Sequence, residues 1–176
     1  MPKPKFRVER FDKASHDREA FSCGVAGIDR WFKEIITDQI KTNRLRVWCA
    51  VDTEERVVGF YGLSAHSVEA ETAPDLSRRR ERHPIPAVYL AALATDLTVQ
   101  SQGLGRALMA DALAKALKVS ETIGTAAVIL DVFEDDRFEA RMTFYTKLGF
   151  RPLNPTDDPK RLFLPMRDVA TVYNAQ

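Results

Sequence analysis

The part of this sequence that most limits its fold is a strand, a glycine turn and a helix in direct succession. Ile85–Asp96 is a nearly unbroken apolar run, the pattern of a strand buried on both faces. An alanine- and leucine-rich stretch from about Gly105 to Ile123 reads as a helix, with Gly124 as its stop. Between them lies Gln100-Ser101-Gln102-Gly103-Leu104-Gly105. The first turn of a helix carries amides without intrahelical partners, and its dipole favours negative charge. Glycine lets a ligand approach the backbone without Cβ interference. Such a turn is a phosphate or pyrophosphate site. Taken alone, it serves equally well as a tight strand-to-helix connection.

The rest of the chain places this unit in a mixed sheet. Phe6–Phe11 reads as an opening strand, and Ile28–Ile40 has the apolar recurrence of one buried helix face. Leu45–Val51 and Val57–Val68 form an antiparallel hairpin across the polar Asp52–Arg56 turn. Glu69–Pro84 is a loop with a short helix near Pro74–Arg80. Thr125–Phe133 is a buried strand, and Phe138–Leu148 a helix closed by Gly149. Arg161–Met166 is a final strand, placed at an edge because Pro165 cannot donate to a ladder. The expectation is one α/β domain over residues 1–176, with a mixed, mostly antiparallel sheet flanked by helices.

Composition narrows the function classes. Lys and Arg number 26 against 25 Asp and Glu, so bulk charge does not mark a nucleic-acid partner. The charge is clustered, however: Arg78, Arg79, Arg80 and Arg82 form a dense basic group, and Lys33, Lys41, Arg44 and Arg46 a looser one. Acid gathers at Glu134, Asp135 and Asp136. Solvated loops explain these groups as readily as binding does. No apolar run reaches the roughly 20 residues of a membrane span, and no h-region follows the charged start. Cys23 and Cys49 have no metal spacing and read as reduced packing residues, which favours the cytoplasm. His66 and His83 lack a second ligand at metal spacing, so no metal is expected.

The glycine turn is neither a Walker A loop nor a dinucleotide fingerprint, since the Gly-Lys-Ser/Thr ending and the third glycine are both absent. It resembles the Q/R-x-x-G-x-G/A signature of the GNAT acetyltransferases. That resemblance implies acetyl-CoA as cosubstrate. Leu93, Ala94 and Thr95 would pair with pantetheine, and Gln100, Ser101, Gln102, Gly103, Leu104, Gly105, Arg106 and Ala107 would surround the pyrophosphate. Ala140-Arg-Met-Thr-Phe-Tyr-Thr-Lys-Leu-Gly-Phe150 is similar to the family's A-x-x-F-Y-x-x-x-G-F segment. Tyr145 would then face the sulfur. A phenol with a reference pKa near ~10 can protonate a departing thiolate; without the glycine turn, Tyr145 would read as a packing aromatic. A backbone N–H near Leu93 or Ala94 could stabilise the oxyanion. No side chain stands out as general base; Asp96, His66 and Glu69 are the candidates.

Three upstream segments carry a narrower resemblance. Phe21-Ser-Cys-Gly-Val-Ala-Gly-Ile-Asp-Arg-Trp-Phe32, Val57–Val68 and Ile85–Leu93 resemble the F-x-C-G-x-x-x-L-D/N-x-W/F-L, V-V-G-Y-Y-A-L-A-A-x-S-V and I-P-V-x-x-L-x-R-L segments of the GNAT toxins of bacterial toxin–antitoxin systems. The resemblance covers most of residues 6–167. It implies a toxin that acetylates the α-amino group of aminoacyl-tRNA and stops translation. It also implies neutralisation by a ribbon-helix-helix antitoxin, and a homodimer. The two basic clusters would meet tRNA phosphates. Ser101 replaces a glycine of the toxin pattern, and Ala92 stands where these toxins carry arginine. The rival expectation is an acetyltransferase for a small or protein amine, with the acidic Glu134–Asp136 stretch recruiting a cation.

Overall fold

A computed structural model describes residues 6–174 of the chain. Seven strands form one sheet in the order β1-β2-β3-β4-β5-β7-β6. The strands are β1 (Phe6–Arg10), β2 (Arg46–Asp52), β3 (Val57–Val68), β4 (Ile85–Thr95), β5 (Ala127–Asp131), β6 (Arg151–Asn154) and β7 (Asp158–Pro165). The pairs β1–β2, β2–β3, β5–β7 and β6–β7 are antiparallel, and β4–β5 is parallel. The mixed, mostly antiparallel sheet expected from the sequence is therefore present. The helices are α1 (Ala26–Arg30), α2 (Ile36–Lys41), α3 (Leu104–Thr122), α4 (Phe138–Lys147) and α5 (Met166–Asn174).

Two compact units divide the chain. One takes the chain up to Ser64 together with Ala91–Ala112; the other takes Ala65–Leu90 and the chain from Leu113 onward. In the first unit, Phe11, Phe21, Phe32, Ile36, Val47 and Phe60 form the core. Phe32 and Phe60 stack with centroids 3.9 Å apart, and Phe21 meets both edge-on. A π-helical turn, Trp31–Ile35, joins α1 to α2, so the expected helix is not one regular α-helix. The Phe32 carbonyl in this turn accepts a 2.6 Å hydrogen bond from the Arg18 guanidinium. That bond ties the turn to the loop that carries Arg18. Gly59 on β3 matters to the packing of α3. A Cβ there would sit 2.9 Å from Leu108 Cδ1 and 3.2 Å from the Ala94 carbonyl oxygen.

In the second unit, Val68, Ile85, Ala87, Ala127, Ile129 and Phe163 form a single-faced apolar layer. Here two sequence expectations change. The short helix falls at Ala70–Thr72 as a 3-10 turn, and 74–80 is turn and coil, because Ser77 Oγ donates to the Ala70 and Ala73 carbonyls and folds the segment back. The last strand is not an edge: β7 lies between β5 and β6. Pro165 is tolerated because it is the terminal residue of β7, so its missing N–H removes no bond inside the ladder. The edge is β6, a four-residue strand containing Pro152. An amphipathic helix, α5, follows Pro165; the sequence reading did not anticipate it.

Candidate active site

In the first unit the glycine turn is built as a backbone concavity. Ser101 has φ 65° and Gly103 φ 87°, so both occupy the left-handed region. The Ala107 N–H donates to the Gly103 carbonyl at 3.2 Å, the first i to i−4 bond of the helix. The amides of Leu104, Gly105 and Arg106 therefore project from the N-terminus of a 19-residue helix. The side chains around them serve the turn itself. Gln100 Nε2 donates to the carbonyls of Thr95 and Cys23, both at 3.1 Å, and Gln102 Nε2 to the Thr98 carbonyl at 3.2 Å. Leu104 is buried, while Ser101, Gln102, Gly103 and Arg106 are exposed and Gly105 and Ala107 half-buried.

Whether a CoA pyrophosphate fits can be judged at Gly105. Its φ is not positive, and a Cβ there would meet only the Thr95 methyl, at 4.0 Å. The protein itself has no use for glycine at this position, which costs a helix about 1 kcal/mol relative to alanine. A ligand lying against the backbone explains it. Gly103 likewise has open space where its Cβ would be. The residues present fit the group.

The upstream Phe21–Phe32 segment proves to be a buttress for this turn. Asp96 accepts from the Ser22 N–H at 2.9 Å, from the Thr98 N–H at 3.0 Å and from Thr98 Oγ1 at 2.6 Å. Burial disfavours its charge, yet these bonds hold the carboxyl below the usual range. Asp96 thus holds loops together and makes a poor proton acceptor. Asp29 fixes the same loop, accepting from the Cys23 N–H and Ser22 Oγ at 2.9 and 2.8 Å. Leu97 packs over Gly24, whose φ is 85°. Cys23 and Cys49 are buried, and desolvation pushes their thiols up to about 11 and about 12, which rules out a thiolate nucleophile at neutral pH.

Strand β4 supplies the remaining cofactor-binding candidates. Its parallel register with β5 runs from Ala87↔Ala127 to Tyr89↔Ile129, and β4 then continues to Thr95. Ala94 is buried, whereas Ala91, Ala92, Leu93 and Thr95 are only half-buried. The expectation of burial on both faces fails over this part of the strand.

In the second unit, Tyr145 sits in the last turn of α4 and is held by the way that helix ends. The Phe150 N–H donates to the Tyr145 carbonyl at 3.1 Å and the Gly149 N–H to the Thr146 carbonyl at 3.0 Å, with Gly149 at φ 93°. This pair of bonds is the Schellman closure that glycine permits. The Tyr145 ring meets Phe144 and Phe150 edge-on. Among the described residues none hydrogen-bonds to its hydroxyl. Desolvation pushes the phenol up to about 12, opposed by the positive charge of Arg141 one turn earlier, so the group is protonated at neutral pH.

The loop before α4 is pinned rather than loose. Arg141 forms a two-pronged pair with Asp135 and donates to the Phe133 carbonyl at 3.2 Å, and Lys160 reaches Glu134 at 2.8 Å. Two of the three acids in the acidic stretch are thus neutralised locally. Of the basic clusters, Arg78, Arg79, Arg80 and Arg82 are exposed on the loop before β4, with Arg80 at φ 65°. In the first unit Lys41 and Arg44 are exposed, Lys33 is half-buried, and Arg46 is taken up by the Leu45 and Ile40 carbonyls and by Asn43.

Residues 43–152 match the model of the acetyltransferase (GNAT) domain. This chain belongs to the GNAT acetyltransferase family. As a GNAT enzyme it uses acetyl-CoA. It is 32% identical to a probable toxin TacT from Sinorhizobium fredii over 94% of this chain and 93% of that one. It is 34% identical to a tRNA-acetylating toxin from Mycobacterium tuberculosis over 86% and 87% of the two chains. Among solved structures, a tyrosine-to-phenylalanine mutant of the toxin AtaT, bound to the C-terminus of the antitoxin AtaR and to acetyl-CoA, superposes with a TM-score of 0.79. Its identity is 26%, with 96% of this chain and 98% of that chain covered.

Proposed function

We propose that this GNAT enzyme is a toxin that transfers the acetyl group of acetyl-CoA to the α-amino group of an aminoacyl-tRNA in the cytoplasm, and that a cognate antitoxin neutralises it. The observation that carries this reading is the near full-length similarity to a tRNA-acetylating toxin, joined to a turn whose open amides suit a pyrophosphate. Acetyl-CoA supplies an activated acyl thioester. Amides of the Gln100–Ala107 turn hold its pyrophosphate, and the Leu93–Thr95 backbone lies along its pantetheine arm. An N–H near Leu93 or Ala94 stabilises the oxyanion that forms when the amine attacks the carbonyl carbon. As the C–S bond breaks, Tyr145 gives its phenolic proton to the sulfur and afterwards regains one from solvent. The exposed Arg78, Arg79, Arg80 and Arg82, with Lys41 and Arg44, meet tRNA phosphates.

Local pairing of Glu134 and Asp135 weakens the rival reading, in which the acidic stretch recruits a small cationic amine. The test is acetyl transfer from labelled acetyl-CoA to a pool of charged tRNAs, to polyamines and to peptides. The label is expected on charged tRNA and not on uncharged tRNA. Labelling of polyamines or peptides alone refutes the toxin reading.

A further inference from the structure

In the first unit, the surface beside Leu93 can be placed by register. The Asp96 N–H donates to the Val58 carbonyl at 2.9 Å, so β4 ends beside the start of β3, its neighbour in the sheet. Counted from that bond two residues at a time, Ala94 falls opposite Phe60 and Ala92 opposite Gly62, all on one face. Phe60 and Ala94 belong to the apolar core of that face, and Ala92 packs against it. Trp31 covers the same spot. A Cβ at Gly62 would lie 3.4 Å from the tip of its indole, and its ring centroid is 6.2 Å from that of Phe60. Residues opposite one another on paired strands are about 5 Å apart, so Trp31 stands within about one side chain's width of Ala92.

Trp31 continues a row of apolar residues spaced by three, after Val25 and Ile28. Helical spacing puts them on one side of α1, and all three are half-buried against the core of this unit. The row is fixed relative to the cofactor turn. Asp29 holds Ser22 and Cys23, Gln100 donates to the Cys23 carbonyl, and Leu97 packs over Gly24. The charges of α1 are engaged elsewhere, Asp29 in that loop and Arg30 with Glu34 at 3.1 Å. What α1 offers beside Ala92 is therefore a rigid apolar wall.

We propose that Val25, Ile28, Trp31 and Ala92 receive the side chain of the acceptor amino acid, so that the enzyme selects aminoacyl groups with apolar side chains. The inference rests on the aminoacyl-tRNA reading above and on its placing of the transfer at Leu93 and Ala94. The acceptor's side chain is borne on the carbon next to the attacking nitrogen, so it lies a few bonds from the acetyl carbon. The ribose and base lie further off, beyond the ester. Ala92 immediately precedes Leu93, and the wall flanks Ala92, so the group that reaches the wall is that side chain. A charged side chain there would give up its hydration and find no partner on α1. An apolar one would bury its surface against carbon. The small side chain of Ala92 leaves the room that a long aliphatic or aromatic group requires.

The experiment measures kcat/KM for wild type, Ala92→Leu and Trp31→Phe on one tRNA body charged in turn with glycine, alanine, leucine, methionine, phenylalanine, aspartate and lysine. Holding the tRNA constant removes its own contacts from the comparison. Wild type is expected to favour the leucyl, methionyl and phenylalanyl groups over the aspartyl and lysyl groups by about 100-fold. Ala92→Leu fills the space and is expected to lose about 10- to 100-fold on the large apolar groups, with glycyl and alanyl within about threefold of wild type. Trp31→Phe enlarges the space and is expected to move the preference of phenylalanyl over alanyl upward by about tenfold. The thermal shift on adding acetyl-CoA is expected to be unchanged in both variants, which shows a folded cofactor site. A wild type indifferent to the aminoacyl group overturns the assignment while the tRNA reading stands. So does an Ala92→Leu enzyme that loses glycyl and leucyl substrates alike, or loses neither. If another amine is labelled and no charged tRNA is, the tRNA reading falls, and the same series of amino acids, offered as amides, judges the wall.

Discussion

Two residues of the glycine turn share the left-handed region, and they are expected to respond in opposite directions. Gly103 at φ 87° meets no side-chain obstacle, so the effect of Gly103→Ala comes from the backbone alone. An L-residue held in that region costs about 1–2 kcal/mol. The narrower unfolded ensemble of alanine returns about 0.4–1 kcal/mol. The net loss is about 1 kcal/mol, or a melting temperature about 2–4 °C lower for a chain of this size. Ser101 at φ 65° already bears such a strain. Ser101→Gly removes it and adds unfolded-state entropy, for a net gain of about 0.5 kcal/mol. Urea and thermal unfolding of the three proteins give these values without ligand. Repeating the melts with acetyl-CoA reads the cofactor site separately, since ligand at 100 times its Kd adds about 2.7 kcal/mol to a binding-competent fold. Gly103→Ala is expected to lose most of that increment and Ser101→Gly to keep it. A Gly103→Ala protein as stable as wild type, with a full acetyl-CoA shift, would refute the assignment of this turn.

Other substitutions separate chemistry from structure. Tyr145→Phe deletes a hydroxyl that no described residue bonds, so its stability is expected within about 0.5 kcal/mol of wild type. Its kcat on charged tRNA is expected to drop by about 10²- to 10⁴-fold; retention of full activity excludes proton donation by Tyr145. Asp135→Asn weakens the Arg141 clasp on the loop before α4, and the expected result is kcat about tenfold lower with acetyl-CoA affinity intact. Equal kcat in the variant means the clasp does not position Tyr145. Asp96→Asn loses charged hydrogen bonds to Ser22 and Thr98, about 1.5–3 kcal/mol at pH 7. Because its folded pKa is depressed, that stability is present above the unfolded value near ~3.9 and is lost as pH falls through the folded one. Wild type and variant should converge in melts once the pH is taken below the depressed folded value of Asp96; a constant gap across pH would show that charge is not involved.

What could be read from the sequence follows the distance over which each feature is determined. The glycine turn, α3 and the Schellman end of α4 depend on residues a few positions apart, and composition alone places them. The position of β7 depends on which strand it joins, and Pro165 misled because a proline at a strand's last residue breaks no ladder bond. Strand β6, four residues long, is too short to show a period. The buttress of the turn was visible only as a similarity around Phe21–Phe32. Its physical basis joins Ser22 to Asp96 and Cys23 to Gln100, contacts that need a folded chain. The acidic stretch shows the same limit in reverse: Glu134 and Asp135 suggest a cation site until Lys160 and Arg141 are seen to occupy them. His66 is the extreme case. The sequence offers it only as one of three candidate bases, and the neighbouring strands alone put its buried, unpartnered Nε2 among Tyr89, Asp131 and Arg161. Residues that build a site locally leave a motif. Contacts that the sheet brings together from distant strands, such as Tyr89 and Arg161 on Asp131, become visible only once its topology is known.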